Sequence, residues 1–277
     1  PHLGTWLREQ QLSLGFTTYQ TNRLFLMGAT PEAQLAVHER LFDKPMGFYA
    51  TDSQLYMSTR YQIWRFDNCL GAGETYKGSD RLYVPSISYT TGNLNVHDVV
   101  IDNAQKLLFV NTDFSCLATV EPGCSFVPLW KPPFISKLVA EDRCHLNGLA
   151  MVDGQPTYMT ACSATDGAAG WRNCRRDGGI VLHVPSNEIV AANLSMPHSP
   201  RWYRNKLWLL NSGTGELGYI DGHKFQPIIF CPGFVRGLAF WHNYAIVGLS
   251  KLRSVNFTGL ALETKLAGLG KEPQCGL

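Results

Sequence analysis

The sequence predicts an all-β fold of the β-propeller type, and three observations carry the prediction. One phrase is written five times: Pro45-Met46-Gly47-Phe48, His97-Asp98-Val99-Val100, Asn147-Gly148-Leu149-Ala150, Ser199-Pro200-Arg201-Trp202 and Arg236-Gly237-Leu238-Ala239. After each copy come a short turn and a β-rich run that ends in small polar residues, at 55–59, 107–112, 157–161, 207–212 and 244–250. The copies recur roughly every 40 to 50 residues, the period of propeller blades. The third observation is composition: 26 Gly, 15 Pro and 12% aromatic residues favour short strands joined by tight turns over helices. A β-sandwich also contains many short strands, but it does not repeat one strand-opening phrase at a fixed long period.

Taken in order, residues 5–10 are expected to form a short amphipathic helix with Trp6 and Leu7 facing inward. Strands follow at 15–18, 23–28 and 35–42, three members of a blade whose innermost strand is still to come. Propellers commonly close by completing at one terminus a blade begun at the other, so a six-bladed ring is the simplest count. Blade one runs from Pro45 and includes a third strand at 61–66. Blade two starts near His97, and blade three near His145 with a glycine-rich insertion at 165–179. Blade four starts near His198, and blade five starts near Arg236 and is cut short. Pro132-Pro133 and Pro273 mark loops, because the period continues across the first pair. The expectation is one domain over residues 1–277. A chain that starts at Pro1 and stops at Cys275-Gly276-Leu277, where a new strand should begin, reads as truncated.

With 45% hydrophobic residues the chain can bury a large core. The formal charge of +2 and the lack of a basic tract interleaved with aromatics exclude a nucleic-acid groove. No apolar run is long enough to read as a membrane span, and residues 1–11 are too polar for a signal segment. The eight cysteines form neither CxxC pairs nor a regular framework. That pattern favours buried, reduced thiols and a cytoplasmic setting over disulfides.

Three constellations could carry chemistry. His97, His145 and His198 stand at or within two residues of equivalent strand openings in three successive blades, which symmetry would bring to one end of a central channel. Three neutral imidazoles would suit one transition metal ion, Zn or Fe, with open positions for water and substrate. Asp98 and Asn147 adjoin two of these histidines as further ligands, orienting groups or, for Asp98, a catalytic group. The competing reading is that each histidine bonds a neighbouring backbone at a crowded strand start.

The second constellation is a set of arginines: Arg143, Arg172, Arg175, Arg176, Arg201 and Arg236. Arg236 occupies a strand opening and Arg201 follows one, where a guanidinium can grip a carboxylate or phosphate in bidentate fashion. Arg172 belongs to the glycine-rich insertion, which could cover the channel mouth or be a solvated loop pairing with Asp166 and Asp177. The third set, Tyr89, Tyr19, Trp171 and Trp202, holds residue types that line pockets. Plugging gaps between blades is the better reading for Trp130, Trp202 and Trp208. The expected ligand contacts are therefore Arg201, Arg236, Asn147, Arg172 and Tyr89, with Asp98 and Arg236 in catalytic roles. The run Gly213 to Gly218 reads as a hairpin turn more readily than as a phosphate loop.

Several long runs resemble a bacterial family of conserved hypothetical proteins, some of which carry the name tetratricopeptide-repeat protein. These are Phe16-Thr17-Thr18-Tyr19-Gln20, Arg143-Cys144-His145-Leu146-Asn147-Gly148-Leu149-Ala150, the stretch from Leu194 to Trp202, the stretch from Leu210 to Glu216, and the stretch from Cys231 to Ala239. The resemblance covers the whole chain. It implies a propeller-like domain of unknown function and carries over no catalytic residue. It also implies a longer C-terminus that completes blade five and supplies the inner strand of the N-terminal blade. At the level of fold alone, Asn147-Gly148-Leu149-Ala150 through Asp153-Gly154 and Tyr158 is similar to a blade of gluconolactonase-type lactonases. His97 and Ser199 stand where those enzymes would place carboxylate or amide ligands, which favours a softer metal over a hard cation.

Two functional readings stand side by side. One is a metal-dependent hydrolase, lyase or oxidase acting on a small anionic substrate. The other is a metal-free module that binds an anionic small molecule or peptide through its arginines. A scaffold using its outer surface has no specific support.

Overall fold

The computed structural model describes residues 2–251 and 259–277. Two compact units emerge: Pro1–Val100 with Val120–Phe126, and Ile101–Thr119 with Val127–Leu277.

The first unit opens with helix α1 (Leu3–Glu9), whose Leu7 is fully buried. Strands β1 (Leu14–Thr18), β2 (Arg23–Ala29) and β3 (Leu35–Leu41) form a three-stranded antiparallel sheet. Strands β4 (Phe48–Ala50), β5 (Gln54–Ser58), β6 (Gln62–Asn68) and β7 (Tyr83–Thr90) form a four-stranded one. Leu24, Leu55, Met57 and Phe66 make the core between these two sheets, with Phe42, Phe48 and Trp64 against it.

A second four-stranded sheet comprises β8 (Val99–Ile101), β9 (Leu107–Asn111), β10 (Cys116–Glu121) and β11 (Cys124–Trp130). In the second unit, β12 (Leu146–Val152), β13 (Gln155–Ala161), β14 (Gly179–His183) and β15 (Glu188–Leu194) form the next sheet. It is followed by β16 (Pro197–Tyr203), β17 (Lys206–Asn211), β18 (Glu216–Asp221) and β19 (Lys224–Phe230). The hairpin β20 (Phe234–Trp241) and β21 (Tyr244–Ser250) comes next, then helix α2 (Ala261–Gly268). Each sheet is a meander of sequence-adjacent strands, as a propeller blade is.

Five sheets of three or four strands are present among the described residues, so the expected six blades are corrected to five. The last opening phrase, at Arg236, heads only the two-stranded β20–β21 sheet, to which Gly276 adds an isolated bridge at Leu249.

Tight turns explain why these meanders form. Asp153-Gly154, Arg204-Asn205 and Gly222-His223 each place two successive residues at positive φ between paired strands, the type I′ geometry that suits the twist of a hairpin. At Gly154 a side chain is also excluded by space, since a Cβ there would collide with the Asn103 amide. Gly213 to Gly215 make the β17–β18 turn, as the hairpin reading expected.

The small polar residues that end each second strand have a common task. Ser58 Oγ donates to the carbonyl of Val96 at 2.9 Å, Thr112 Oγ1 to Leu146 at 2.6 Å, and Ser212 Oγ to Val235 at 2.6 Å. Each hydroxyl thus latches its sheet to the opening of the next first strand. Thr17 Oγ1 donates in the same way to Met46 at 2.7 Å, which puts β1 at the place of β5, β9 and β17 in its own sheet. The residue that follows β13 at the corresponding point is Cys162.

The first strands β12, β16 and β20 pack side by side. Arg201 on β16 fastens them, its Nη1 donating to Leu149 of β12 at 3.0 Å and to Pro200 at 2.8 Å, and its Nε to Leu238 of β20 at 3.2 Å. Trp202 packs in the core between the β12 and β16 sheets and Trp208 in the core beside β20, as the gap-filling reading expected. Trp130 instead donates at the surface to Asn187 Oδ1. No helix among the described residues is long and apolar enough to cross a membrane. The eight cysteines are free thiols.

Candidate functional site

The register of β12, β16 and β20 breaks at one equivalent place in each strand: between Leu146 and Gly148, between His198 and Arg201, and between Val235 and Leu238. A bulge frees one residue from the ladder and re-aims its side chain. The residues outside the register here are Asn147, Ser199 with Pro200, and Arg236 with Gly237, which include the polar openings of the repeated phrase. Their neighbours His145 and His198 lie at the same end of the unit.

An aromatic path crosses this end. Trp171 stacks on His145 with ring centroids 4.2 Å apart, and His145 meets His198 edge-on at 6.4 Å. His198 in turn meets Phe234 at 5.9 Å. Asp142 fixes the start of the path, because its carboxylate accepts both the Trp171 Nε1–H at 2.9 Å and the His145 Nδ1–H at 3.0 Å. A carboxylate at Nδ1 fixes the orientation of the ring and keeps the proton on that nitrogen. His198 is fixed the same way. Its Nδ1–H donates to the Met196 carbonyl at 2.8 Å and lies 3.1 Å from Ser212 Oγ, which itself donates to Val235. Burial first, then the charges of Arg236 and His145, hold the His198 pKa well below 6.5, so the ring is neutral near pH 7.

Arg236 brings the positive charge. The residue keeps some surface, yet its guanidinium lies deep enough that burial draws its pKa down to about 10, partly offset by the neighbouring Cys162. It therefore stays protonated at pH 7 in surroundings of low dielectric, where a charge interacts more strongly than in water. The Cys162 thiol is driven upward by burial and the nearby Asp142 and Cys144, and is neutral. Asn147 Nδ2 donates to the Cys162 sulfur at 3.6 Å, and Thr160 donates to Asn147 Oδ1 at 2.7 Å.

Two segments cover the cluster. The 3₁₀ turn Gly170–Asn173 in the glycine-rich insertion delivers Trp171, and it places the exposed Arg172 with its guanidinium 5.3 Å from the Trp171 ring centroid. Helix α2 sets Leu262 and Leu266 against Cys162, Trp171, Met196 and Phe234. It is held by a Leu262 N–H bond to Gly213 and by Lys265 with Glu216 at 2.5 Å. The insertion is anchored by Arg143, which pairs with Glu141 at 2.8 Å and with Asp166 at 2.6 Å. Hydrogen bonds from Ser136 and the Arg143 charge bring the Asp166 pKa down to about 2.

A family model matches the chain from residue 1 to 277. The chain belongs to the DUF4915 family, a domain of unknown function. No curated protein matches the chain in sequence. Among solved structures it is similar to a putative oxidoreductase (glucose dehydrogenase) of Thermus thermophilus, at 11% identity over 87% of this chain and 88% of that one, with a TM-score of 0.54. The nidogen/laminin complex also scores 0.54, at 11% identity over 86% and 85% of the two chains. The calcium-binding protein regucalcin of Agrobacterium tumefaciens scores 0.50, at 11% identity over 95% and 88%. At such identity the likeness shows the propeller fold and nothing of the chemistry.

The DUF4915 chain thus brings together four of the residues singled out in the sequence: His145, His198, Arg236 and Asn147, with Arg172 above them. The Arg201 guanidinium is engaged by three carbonyls as a fastener of strands. Asn147 is buried and its amide is engaged by Thr160 and Cys162. His97, Asp98 and Tyr89 belong to the first unit. There His97 Nδ1 donates to the Asn95 carbonyl at 2.7 Å, and the buried Asp98 accepts from the N–H of Val99. Tyr89 lies on β7, the outer strand of its blade, in register with Ile63.

For the expected metal, the described residues contain no group of three or more His, Cys, Asp or Glu side chains arranged to hold an ion. The donor set at the aromatic path also fits poorly, because a fixed cation, Arg236, acts on His198. Asp142, Cys162 and Phe234 escaped the sequence reading. Cys162 had a signal: it follows its strand where Thr112 and Ser212 follow theirs. Asp142 had only its spacing of three from His145.

Proposed function

We propose that this propeller domain binds an anionic small molecule at the strand openings of β12, β16 and β20 without a metal ion. The carrying observation is Arg236, a protonated guanidinium drawn down to about 10 by burial and set on a β-bulge beside neutral His198. A guanidinium in surroundings of low dielectric attracts a carboxylate or phosphate more strongly than one in water, and its fork suits either group. The Asp142–His145 pair adds a positioned base, so proton transfer to or from the bound ligand is the chemistry within reach.

The test is a thermal-shift titration of chelator-treated protein with benzoate and with phenyl phosphate. Stabilisation that survives chelation, disappears in Arg236→Ala and partly returns in Arg236→Lys supports the reading. Stabilisation that needs added zinc would instead favour the metal-dependent enzyme.

A further inference from the structure

We propose that two copies of this chain pair edge to edge through β3, each strand joining its counterpart across a two-fold axis. An edge strand offers unpaired N–H and C=O groups to any other strand, and proteins blunt such edges with proline, register breaks or side-chain covers. The outer strands β7, β11 and β19 hold Pro85, Pro128 and Pro227, which lack the N–H that a new partner needs. The outer strand β15 breaks register with β14 at two places, and His223 Nδ1–H donates to its Val190 carbonyl at 2.9 Å. By contrast, β3 contains no proline and holds unbroken register with β2 over all seven of its residues.

Which groups of β3 are open follows from the hydrogen bonds just beyond its ends. Phe42 N–H donates to the Asn22 carbonyl, and Thr30 N–H donates to the Gln34 carbonyl. Even-numbered residues therefore turn their backbone groups toward β2, and Leu35, Val37, Glu39 and Leu41 turn theirs outward. The side chains of these four share one face of the sheet. Leu35, Val37 and Leu41 are 44%, 48% and 69% exposed, an apolar row on an open edge. Glu39 within the row is paired with Arg23 at 3.3 Å. The exposed Arg40 guanidinium on the Glu39 carbonyl, at 2.8 Å, is a contact that an incoming N–H replaces.

The occupant follows from the sequence of the strand, which is complementary to itself. An antiparallel pair centred on His38 matches all seven residues, with Leu35 opposite Leu41 of the second copy, Val37 opposite Glu39, Ala36 opposite Arg40 and His38 opposite its own copy. All the outward-turned residues then meet in hydrogen-bonded pairs, and the apolar ends Leu35 and Leu41 cover one another. Centring the pair on Glu39 sets that carboxylate against itself, and centring it on Val37 puts Leu35 opposite Glu39 and leaves Leu41 unmatched. Charge and apolar pattern thus select one register and a second copy of this chain.

The experiment is sedimentation equilibrium of the full chain in reducing buffer over a range of concentrations, where a monomer–dimer equilibrium is expected. Val37→Pro removes an outward N–H and no bond to β2, so it should weaken dimerisation about tenfold with the thermal midpoint nearly unchanged. The register is tested by the double variant Leu35→Cys, Leu41→Cys. These positions are opposite one another only between copies and about 20 Å apart within one, so mild oxidation should link two chains in the double variant well above wild type and above either single variant. A monomer at every concentration with no added cross-linking would overturn the proposal. A dimer that is indifferent to Val37→Pro and does not cross-link would overturn it as well, by placing the contact elsewhere. The cysteine pair decides alone if Val37→Pro does not fold.

Discussion

At the scale of single residues, Arg236 and His198 are the two groups of the proposed site whose ionisation burial alters. Burial depresses both pKa values, which means that the surroundings disfavour the charged forms. Replacing Arg236 by Met keeps the volume and removes the desolvated charge. The variant is expected to lose anion binding in calorimetric titration while still unfolding cooperatively in urea, and retained binding would remove Arg236 from the site. His198 has the opposite readout, in pH. In the unfolded chain its imidazole takes up a proton below 6.5, whereas the folded chain resists it. Its contribution is complete above that pH and is lost as pH falls, with a slope of up to about 1.4 kcal/mol per pH unit until the folded pKa is reached. His198→Asn keeps an N–H for the Met196 carbonyl and should flatten this part of the stability profile between about pH 6.5 and 5, as measured by denaturant titrations at each pH.

At the scale of elements, three adjacent first strands are joined by features that differ in kind from the site. Arg201 reaches the carbonyls of Leu149, Pro200 and Leu238 with a rigid fork that lysine cannot reproduce. Arg201→Ala should cost about 1–3 kcal/mol in urea unfolding, and Arg201→Lys should recover little of it, because buried carbonyls lose their donors. Anion affinity measured well below the unfolding midpoint should be unchanged; a large loss would return Arg201 to the ligand. The strands themselves were legible, since alternation and turn chemistry are local. The polar ends of the second strands were legible as a pattern, but their latch to the next sheet joins residues 23 to 38 positions apart and could be seen only in the fold. The role of Arg201 was hidden for the same reason: an arginine after a strand opening looks alike whether it faces ligand or backbone. Helix α2 also escaped notice, because its apolar residues Leu262 and Leu266 fit equally well into a broken blade pattern.

At the scale of the whole molecule, a repeated phrase was enough to specify a propeller, but it did not specify the blade count or the function. The count failed because a phrase marks only the first strand of a sheet, and the last phrase heads a hairpin alone. Symmetry also suggested that three histidines share one centre, while the rings of His145 and His198 are each fixed by a local acceptor, Asp142 and Met196. What three of the repeats supply is a common register break in the first strand, at β12, β16 and β20. The central claim, an anion site built on Arg236 that needs no metal, is tested most directly by calorimetric titration of benzoate into chelator-treated wild type and Arg236→Met side by side. Saturable binding by the wild type and none by the variant is the predicted result. Binding by both proteins, or binding by wild type only after zinc or iron is restored, would contradict it.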